Sequence, residues 1–355
     1  MMLRYIKILP LLITAACAPP RVETRTAGPA PATGPEKKTV AAVSAKCLQA
    51  VRRQEVRAGF ALVLVADDVL SPEQIERLDV LTRKIHGTPG VQSVLSITDE
   101  TVIRASELGV NVEPFVSEAN LQTPAQRRAR SLQFKDLIDP VLMSADRKTA
   151  VLKVKLQRTA KKQARTDIRK RILDLVFAAP ESVKLYLVEY PLAAVESMGW
   201  QTDNAMAGLR ALNQNLAGGG VLEVTVRCRE DDCLLEPMHL TAIARFQYIL
   251  ESMPKVKATR SLVNVLLAAN REVGGQNRIP ATRDESLQLT AMMSMGGGFR
   301  LLAEEGMRRG VVRVYFTTTT AAEYCELGRA LKSAAKESST ETLRFSVRRP
   351  ERGGF

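Results

Sequence analysis

"LSPEQIERLDVLTRKIHGTPGVQSVLSI", residues 70–97, returns in altered form as "LEPMHLTAIARFQYILESMPKVKATRSL", residues 235–262. One constant offset aligns five identical pairs, namely Leu70 with Leu235, Pro72 with Pro237, Pro89 with Pro254, Val91 with Val256 and Ser96 with Ser261. In both copies the apolar residues recur with the spacing of one helix face, and Pro occupies the first helical position. Ser71 and Gln74 add the spacing of a capping box in the first copy. The repeat therefore predicts the same amphipathic helix twice, each followed by a strand.

Strand-like segments extend the repeat in both directions. Upstream, "GFALVLVADD" from Gly59 aligns with "GGVLEVTVRC" from Gly219, and downstream "VLKVKLQ" from Val151 aligns with "VVRVYFT" from Val311. All four are rich in β-branched residues, and the second pair alternates apolar and polar side chains. A further helix and a closing strand follow in each copy, with helices at about 166–176 and 322–334 and strands from Val183 and Leu343. The unit is a split βαβ pair, which predicts an α+β fold of two tandem ferredoxin-like domains.

Three segments of this repeat resemble a known family. They are "SPEQIERLDVLTRKIHGTPGVQSVLSITD" from Ser71, "DPVLMSADRKTAVLKVKL" from Asp139 and "ALNQNLAGGGVLEVTV" from Ala211. In this combination the chain resembles the periplasmic porter domains of the resistance-nodulation-division (RND) superfamily, especially its MMPL and hopanoid-exporter branch. The resemblance covers roughly residues 59–348. It implies porter-type domains with helical insertions beside a substrate path, and the insertions here begin at Asp99 and Val263.

The membrane part of that family has no counterpart between the two copies. RND proteins place a set of membrane helices there, whereas this chain has only the polar, interrupted stretch 190–219. A bilayer crossing needs about twenty consecutive apolar residues, and no such run follows the N-terminus. The family's proton-relay carboxylates lie in its membrane helices. We therefore expect a protein that is not a proton-driven pump by itself.

The N-terminus predicts export. "MMLRYIKILPLLITAACAPP" carries Arg4 and Lys7 before a short apolar core that ends at Cys17, which is typical of a secretory signal. "TAAC" resembles the lipobox of bacterial lipoproteins, and this favours lipidation of Cys17 over plain secretion or an uncleaved anchor. Ala18 after the cysteine resembles lipoproteins forwarded to the outer membrane of Gram-negative bacteria.

Segment boundaries follow from these patterns. The sequence predicts a signal peptide with lipobox over 1–17, a disordered Pro/Ala-rich tether over 18–40, porter-like repeats over 41–192 and 219–350, an inter-repeat linker or helix over 193–218 and a tail over 351–355. Apolar residues make up 45% of the chain and charged residues 25%, as in globular proteins. Cleavage before Cys17 lowers the formal net charge from +13 to +11. An exported basic protein meets anionic lipid or acidic partners rather than nucleic acid.

The five cysteines have different expected roles. Cys17 is the lipidation site. Cys228 and Cys233 flank "REDD" in the turn after a strand, where an oxidising periplasm allows either a local disulfide or two free thiols. The pair lacks the CxxC spacing of a redox enzyme. Cys47 and Cys325 are interpreted as unpaired, buried apolar residues in preference to a long-range bridge.

Catalytic chemistry is not expected. The chain has two histidines, His86 and His239, at the end of one repeated helix and near the start of the other. A lone histidine at such a position is more often structural or solvated than part of a catalytic triad. No metal, catalytic residue or cofactor is predicted, because Cys228, Cys233 and His239 lack an evident fourth ligand.

Binding remains as the expected function. "LQLTAMMSM" in the second insertion places five apolar side chains close together, namely Leu287, Leu289, Met292, Met293 and Met295. Methionine-rich surfaces adapt to varied apolar ligands, although such a stripe also suits a core. We expect a non-enzymatic, lipid-anchored periplasmic protein that acts as an adaptor for an envelope transporter or binds a hydrophobic ligand such as a lipid. A structural scaffold in an envelope complex and a remnant of an RND exporter are the alternatives.

Overall fold

Two antiparallel sheets of four strands and a separate two-stranded hairpin are connected by helices in the computed structural model of the protein. The structure describes residues 59–347 apart from 107–108, 118–121, 135–137, 158–161, 179–182, 190–202, 219, 295–301, 305 and 318–320. The predicted signal peptide, tether and tail, together with Cys17, Cys47 and Met295, lie outside the described residues.

Strands and helices alternate along the chain. The strands are β1 (Phe60–Val65), β2 (Val91–Leu95), β3 (Thr101–Ser106), β4 (Gly109–Pro114), β5 (Thr149–Leu156), β6 (Lys184–Glu189), β7 (Gly220–Arg227), β8 (Val256–Arg260), β9 (Arg309–Phe316) and β10 (Arg344–Val347). The helices are α1 (Pro72–His86), α2 (Pro124–Gln133), α3 (Lys162–Phe177), α4 (Asp203–Asn215), α5 (Pro237–Glu251), α6 (Leu262–Gly274), α7 (Arg283–Ser294) and α8 (Ala321–Ser338). This order confirms a mixed α+β fold.

The two four-stranded sheets share one topology. The first has the order β2-β5-β1-β6 and the second the order β8-β9-β7-β10, with every neighbouring pair antiparallel. In both sheets the first and third strands in chain order lie at the centre, and a helix follows each of them. The segments that repeat in the sequence therefore occupy equivalent places in the two sheets.

The repeated helices α1 and α5 form for the reasons that their sequences indicate. Both begin with proline at the first helical position. Ser71 Oγ accepts the Gln74 N–H at 3.4 Å, but the Gln74 side chain accepts from Arg77 instead of the Ser71 backbone, so the predicted capping box forms on one side only. The apolar stripe is buried in each helix, at Leu78, Leu81 and Ile85 in α1 and at Leu240, Ile243, Phe246 and Leu250 in α5.

The first insertion differs from the expected helical element. It contains the hairpin β3–β4, in which Val102 pairs with Glu113, followed by the short helix α2. Five of the twelve residues of "TVIRAS" and "GVNVEP" are β-branched, and such residues favour strands. The second insertion is helical as predicted, with α6 and α7, and α6 packs against β3.

Helix α4, in the predicted inter-repeat linker, packs on the first sheet. Leu209 and Leu212 are buried there against Val63 and Val188. Gly208 allows the close approach, since a Cβ at this position would stand 2.6 Å from the Tyr186 Cβ. The Asn204 amide accepts the Leu187 N–H at 3.0 Å and donates to the Leu185 carbonyl at 3.2 Å. The helix thereby supplies hydrogen-bond partners to backbone groups of the edge strand β6.

One continuous apolar core joins the two halves of the chain. It contains Leu62 and Leu152 from the first sheet together with Val224 and Val314 from the second. Among the helices that the structure describes, none combines the length and apolar character that crossing a bilayer requires.

Candidate functional site: a charged cavity between the sheets

Alternation along two central strands directs charged side chains away from the main core. In β5, Leu152 and Val154 are buried in that core, whereas Lys153 lies between them and points to the opposite face. The aligned strand β9 repeats the pattern, with Val312 and Val314 in the core and Arg313 on the opposite face. The repeat therefore gives each sheet one basic side chain at an equivalent position.

A cavity of about 250 Å³ lies where these faces meet. Strands β2 and β5 of the first sheet and strands β7 and β9 of the second form most of its wall. Leu95, Val221 and Tyr315 contribute apolar surface, and Lys153 and Arg313 contribute charge. The cavity thus combines apolar walls with a few polar groups, as small-molecule sites in proteins do.

Asp139 supplies the buried carboxylate of the site. Its side chain is 3% exposed, and its two oxygens accept the Val141 N–H at 3.1 Å and the Lys153 ammonium at 3.0 Å. Burial alone would raise the pKa of Asp139, but the charges of Lys153, Arg260 and Arg313 and the Val141 N–H hold it well below its ordinary value. Asp139 is therefore ionised at neutral pH and balances part of the positive charge around it.

The second sheet adds three charged residues in one row. Glu223 on β7 and Arg260 on β8 are both in register with Arg313 on the strand between them. The Arg313 Nε lies 3.5 Å from the Glu223 carboxylate, and both side chains are 12% exposed. This ion pair is largely removed from solvent, so its charges are screened much less than those of a surface pair.

The Tyr315 hydroxyl is a buried polar group beside Asp139 and Arg313. Tyr315 is fully buried, with its ring centre 6.0 Å from the Lys153 ammonium. The charges of Asp139 and Arg313 act on the pKa of this hydroxyl in opposite directions. Burial and then the charge of Asp139 raise the pKa of Tyr315 well above its ordinary value. The hydroxyl is thus protonated at neutral pH and can donate a hydrogen bond.

Glu100 lies beside this cluster. It follows a one-turn 3-10 helix, Ile97–Asp99, whose capping box joins Ser96 and Asp99. Burial raises the pKa of Glu100 to about 7, with the carboxylates of Asp139 and Asp99 acting in the same direction and Arg260 and Lys153 opposing them. Its charge therefore changes near neutral pH, unlike that of Asp139.

The charged side chains that line the cavity are of both signs. Both of its carboxylates are engaged in ion pairs, Asp139 with Lys153 and Glu223 with Arg313. Over the part of the chain that the structure describes, no three His, Cys, Asp or Glu residues are grouped so that they could hold a metal ion.

The residues predicted as an apolar ligand surface lie elsewhere. Leu289 and Met293 are buried in the main core, Leu287 packs against it and Met292 is half-buried. None of these four lines the cavity between the sheets. Leu289 and Met293 therefore belong to the core, which is the second of the two interpretations that the methionine-rich stretch allowed.

Three cysteines and one histidine of the described residues have structural roles. Cys228 and Cys233 form a disulfide bond, with their Cα atoms 6.3 Å apart. The interpretation of Cys325 as an unpaired residue is wrong, because this buried cysteine is disulfide-bonded. His239 joins the Cys233 carbonyl at 2.6 Å to Thr342 at 3.3 Å, whereas His86 is exposed at the end of α1.

Sequence reasoning missed Asp139, Lys153, Glu223, Arg313 and Tyr315 as site residues. A signal for two of them exists, since Lys153 and Arg313 interrupt aligned apolar strands at the same position of the repeat. A charged side chain in the middle of a central strand must find a partner on that face of the sheet.

No protein-family model matches the chain, and a search of curated proteins finds no significant relative.

Proposed function

We propose that the protein is a non-enzymatic periplasmic lipoprotein that binds a hydrophobic ligand, such as a lipid, and serves as an accessory module in envelope transport. The cavity between the two sheets carries this proposal, because its walls are mainly apolar and its charged groups lie together. The lipobox-like sequence at Cys17 would hold the protein at the outer membrane of a Gram-negative cell.

The fold supports a relationship to RND porter domains. We propose that each half is a ferredoxin-like domain of the porter type, joined to the other without the membrane helices. Two central strands, each followed by a helix, recur in both sheets with the same strand order. A split βαβ pair has this arrangement.

The test is extraction of bound molecules from the mature protein, produced without its lipid anchor and purified without detergent. We expect native mass spectrometry to find one apolar molecule per chain that denaturing extraction releases. A control variant fills the cavity by replacing Val221, which lines it, with tryptophan, and should copurify with less ligand. A protein that is empty in several preparations would contradict the ligand-binding function.

An adaptor without a ligand is the second candidate, and one surface favours it. Helix α5 exposes Met238 near its start and the adjacent Tyr248 and Ile249 near its end, with exposed fractions of 69%, 77% and 42%. Adjacent exposed apolar side chains such as Tyr248 and Ile249 are typical of protein contacts when they belong to a larger apolar patch. A photo-crosslinking residue at position 248 should then trap an envelope transporter in cells, whereas one at the exposed Arg329 of α8 should not.

A further inference from the structure

The two repeated helices differ on the surface that they expose to solvent. The constant offset that aligns the two copies gives three pairs of residues on this surface, namely Met238 with Glu73, Tyr248 with Arg83 and Ile249 with Lys84. The three residues of α5 are large, apolar and exposed. Their three counterparts in α1 are charged and also exposed. The fold thus accepts charge at these positions, and the apolar side chains of α5 are not needed to form the helix.

Helix α1 uses its exposed charges in two ion pairs along its surface. Glu73 pairs with Arg77 at 3.1 Å, one turn along the helix. Asp79 pairs with Arg83 at 2.7 Å. Alanine occupies the positions of Arg77 and Asp79 in α5, so neither ion pair can form there. Exposed apolar surface such as that of α5 gains free energy when a partner removes it from water.

The charged residues around Tyr248 and Ile249 indicate the partner. Arg245 is exposed and lies three and four residues before them, so the three side chains share one face of α5. Lys257 is also exposed, at the irregular position of β8 just beyond the helix. Among the described residues no carboxylate forms an ion pair with either cation.

The acidic residue of α5 is already engaged. Helix α5 contains one such residue, Glu251 in its last turn. Its carboxylate accepts the Thr259 N–H at 3.0 Å and the Thr259 hydroxyl at 2.6 Å. The outer face of α5 therefore presents apolar side chains and a basic one, and its carboxylate is bonded to the neighbouring strand.

An anionic bilayer complements this surface better than a second copy of the chain does. A two-fold contact places the same surface on both sides, so that Arg245 and Lys257 of one copy face the same cations of the other. Lipid phosphates instead attract lysine and arginine. Tyrosine suits the boundary between headgroups and acyl chains, because its ring is apolar and its hydroxyl can stay in contact with water.

We propose that α5 docks on an anionic bilayer surface, with Tyr248 and Ile249 among the headgroups and Arg245 and Lys257 against lipid phosphates. This contact goes beyond the proposed ligand binding and does not involve the cavity between the sheets. It rests on the proposed lipoprotein function only in that a lipid anchor would keep the body near a bilayer. It assigns to lipid the side chains that a transporter would contact in the adaptor candidate.

Cosedimentation with vesicles tests the contact. The mature chain carries Cys17→Ser, so that no lipid anchor contributes to binding. Vesicles of phosphatidylcholine alone are compared with vesicles of equal parts phosphatidylcholine and phosphatidylglycerol. We expect binding to the mixed vesicles to be at least about tenfold tighter, because two cations face their phosphates. Added salt should weaken it.

Variants separate the apolar and the charged contributions. Tyr248→Ala combined with Ile249→Ala should lower the affinity for the mixed vesicles about tenfold. Arg245→Gln should lower it about fivefold. The matched controls are Leu132→Ala, which truncates another exposed apolar side chain, and Lys84→Gln, which removes an exposed charge from the equivalent helix α1. Neither control should change the affinity, and all variants should keep the unfolding temperature of the native protein.

Three results would overturn the assignment. Equal binding to both kinds of vesicle would exclude recognition of anionic lipid. An equal loss of affinity in Lys84→Gln and Arg245→Gln would show that net charge, rather than this face, directs binding. Absence of vesicle binding, with a transporter trapped by crosslinking at position 248, would assign the face to a protein. None of these results changes the outcome of the extraction experiment, so failure of this contact is distinguishable from failure of the ligand-binding function.

Discussion

At the scale of single residues, Asp139 determines whether the positive charges between the sheets are tolerated. It accepts from Lys153 at 3.0 Å and lies among Arg260 and Arg313 while almost completely buried. Removal of one partner from a buried ion pair leaves a desolvated charge uncompensated. The carboxylate thus matters more for stability than an exposed ion pair of the same length.

Asp139→Asn is expected to lower the free energy of unfolding by about 3–5 kcal/mol, because it keeps the size of the side chain and removes its charge. Urea denaturation followed by circular dichroism measures the change. The control is Asp79→Asn, which breaks the exposed pair with Arg83 in α1 and should cost less than about 1 kcal/mol. Equal effects of the two substitutions would contradict a buried, stabilising role for Asp139.

Glu100 gives the stability of the protein a pH dependence of known sign. Its pKa is raised from 4.5 to about 7, so the folded state binds the proton more tightly than the unfolded chain. The contribution of this group to stability is full below pH 4.5 and is lost as the pH rises through about 7.

Glu100→Gln should therefore be less sensitive than the native protein to a pH increase across this window. The measurement is the unfolding free energy in urea at pH 5 and at pH 8 for both proteins. We expect the difference between the two pH values to be smaller in the variant, because the amide remains uncharged throughout. A parallel loss of stability in both proteins would show that other groups carry the pH dependence.

At the scale of elements, two helical glycines have opposite roles. A Cβ on Gly208 of α4 would lie 2.6 Å from the Tyr186 Cβ and 2.7 Å from the Val188 Cγ2, in strand β6. A Cβ on Gly328 of α8 would meet no atom within 4 Å. Helix propensity favours alanine at both positions, whereas packing forbids it at only one.

Gly328→Ala is expected to raise the unfolding free energy by about 1 kcal/mol, through helix propensity alone. Gly208→Ala should lower it by about 1–3 kcal/mol, because α4 must move away from the first sheet. Chemical denaturation of the two variants side by side checks both values. If Gly208→Ala proved as stabilising as Gly328→Ala, α4 would not pack against β6 as closely as described.

Helices and central strands were predictable because their signals are local. The period of Leu78, Leu81 and Ile85 indicates α1 without reference to any other part of the chain. The hairpin β3–β4 was not predicted, because its β-branched residues were interpreted through the helical insertions of the resembling family. Its position also depends on α6, which is distant in sequence and packs against β3.

The candidate site was less predictable because it depends on tertiary contacts. Lys153 and Arg313 are aligned in the repeat, so their charge in a central strand was visible in the sequence. Asp139 is brought to Lys153 by the loop that precedes β5, and Glu223 reaches Arg313 through the pairing of β7 with β9. The local periodicity of a sequence specifies neither the register in which strands pair nor the way in which two sheets pack together.

At the scale of the whole molecule, the two halves share their stability. The apolar core that contains Leu152 in β5 and Val314 in β9 is one continuous cluster. The charged cluster also crosses between the sheets, because Lys153 and Asp139 come from one half and Arg260 and Arg313 from the other. Separation of the two halves would expose both sides of these contacts to water and would destabilise each half.

Unfolding should therefore be cooperative across both sheets, although the sequence divides the chain into two repeats. Leu152→Ala removes a fully buried side chain from the first sheet and should cost about 2–5 kcal/mol. We expect hydrogen exchange to accelerate by a similar factor at the slowest amides of β1–β5 and of β7–β9, because global unfolding exposes both groups. The control, Leu132→Ala, truncates a side chain that is 57% exposed and should leave exchange in both sheets nearly unchanged. Faster exchange confined to the first sheet would mean that the halves unfold independently, and the cavity between them would then be an interface between two autonomous domains.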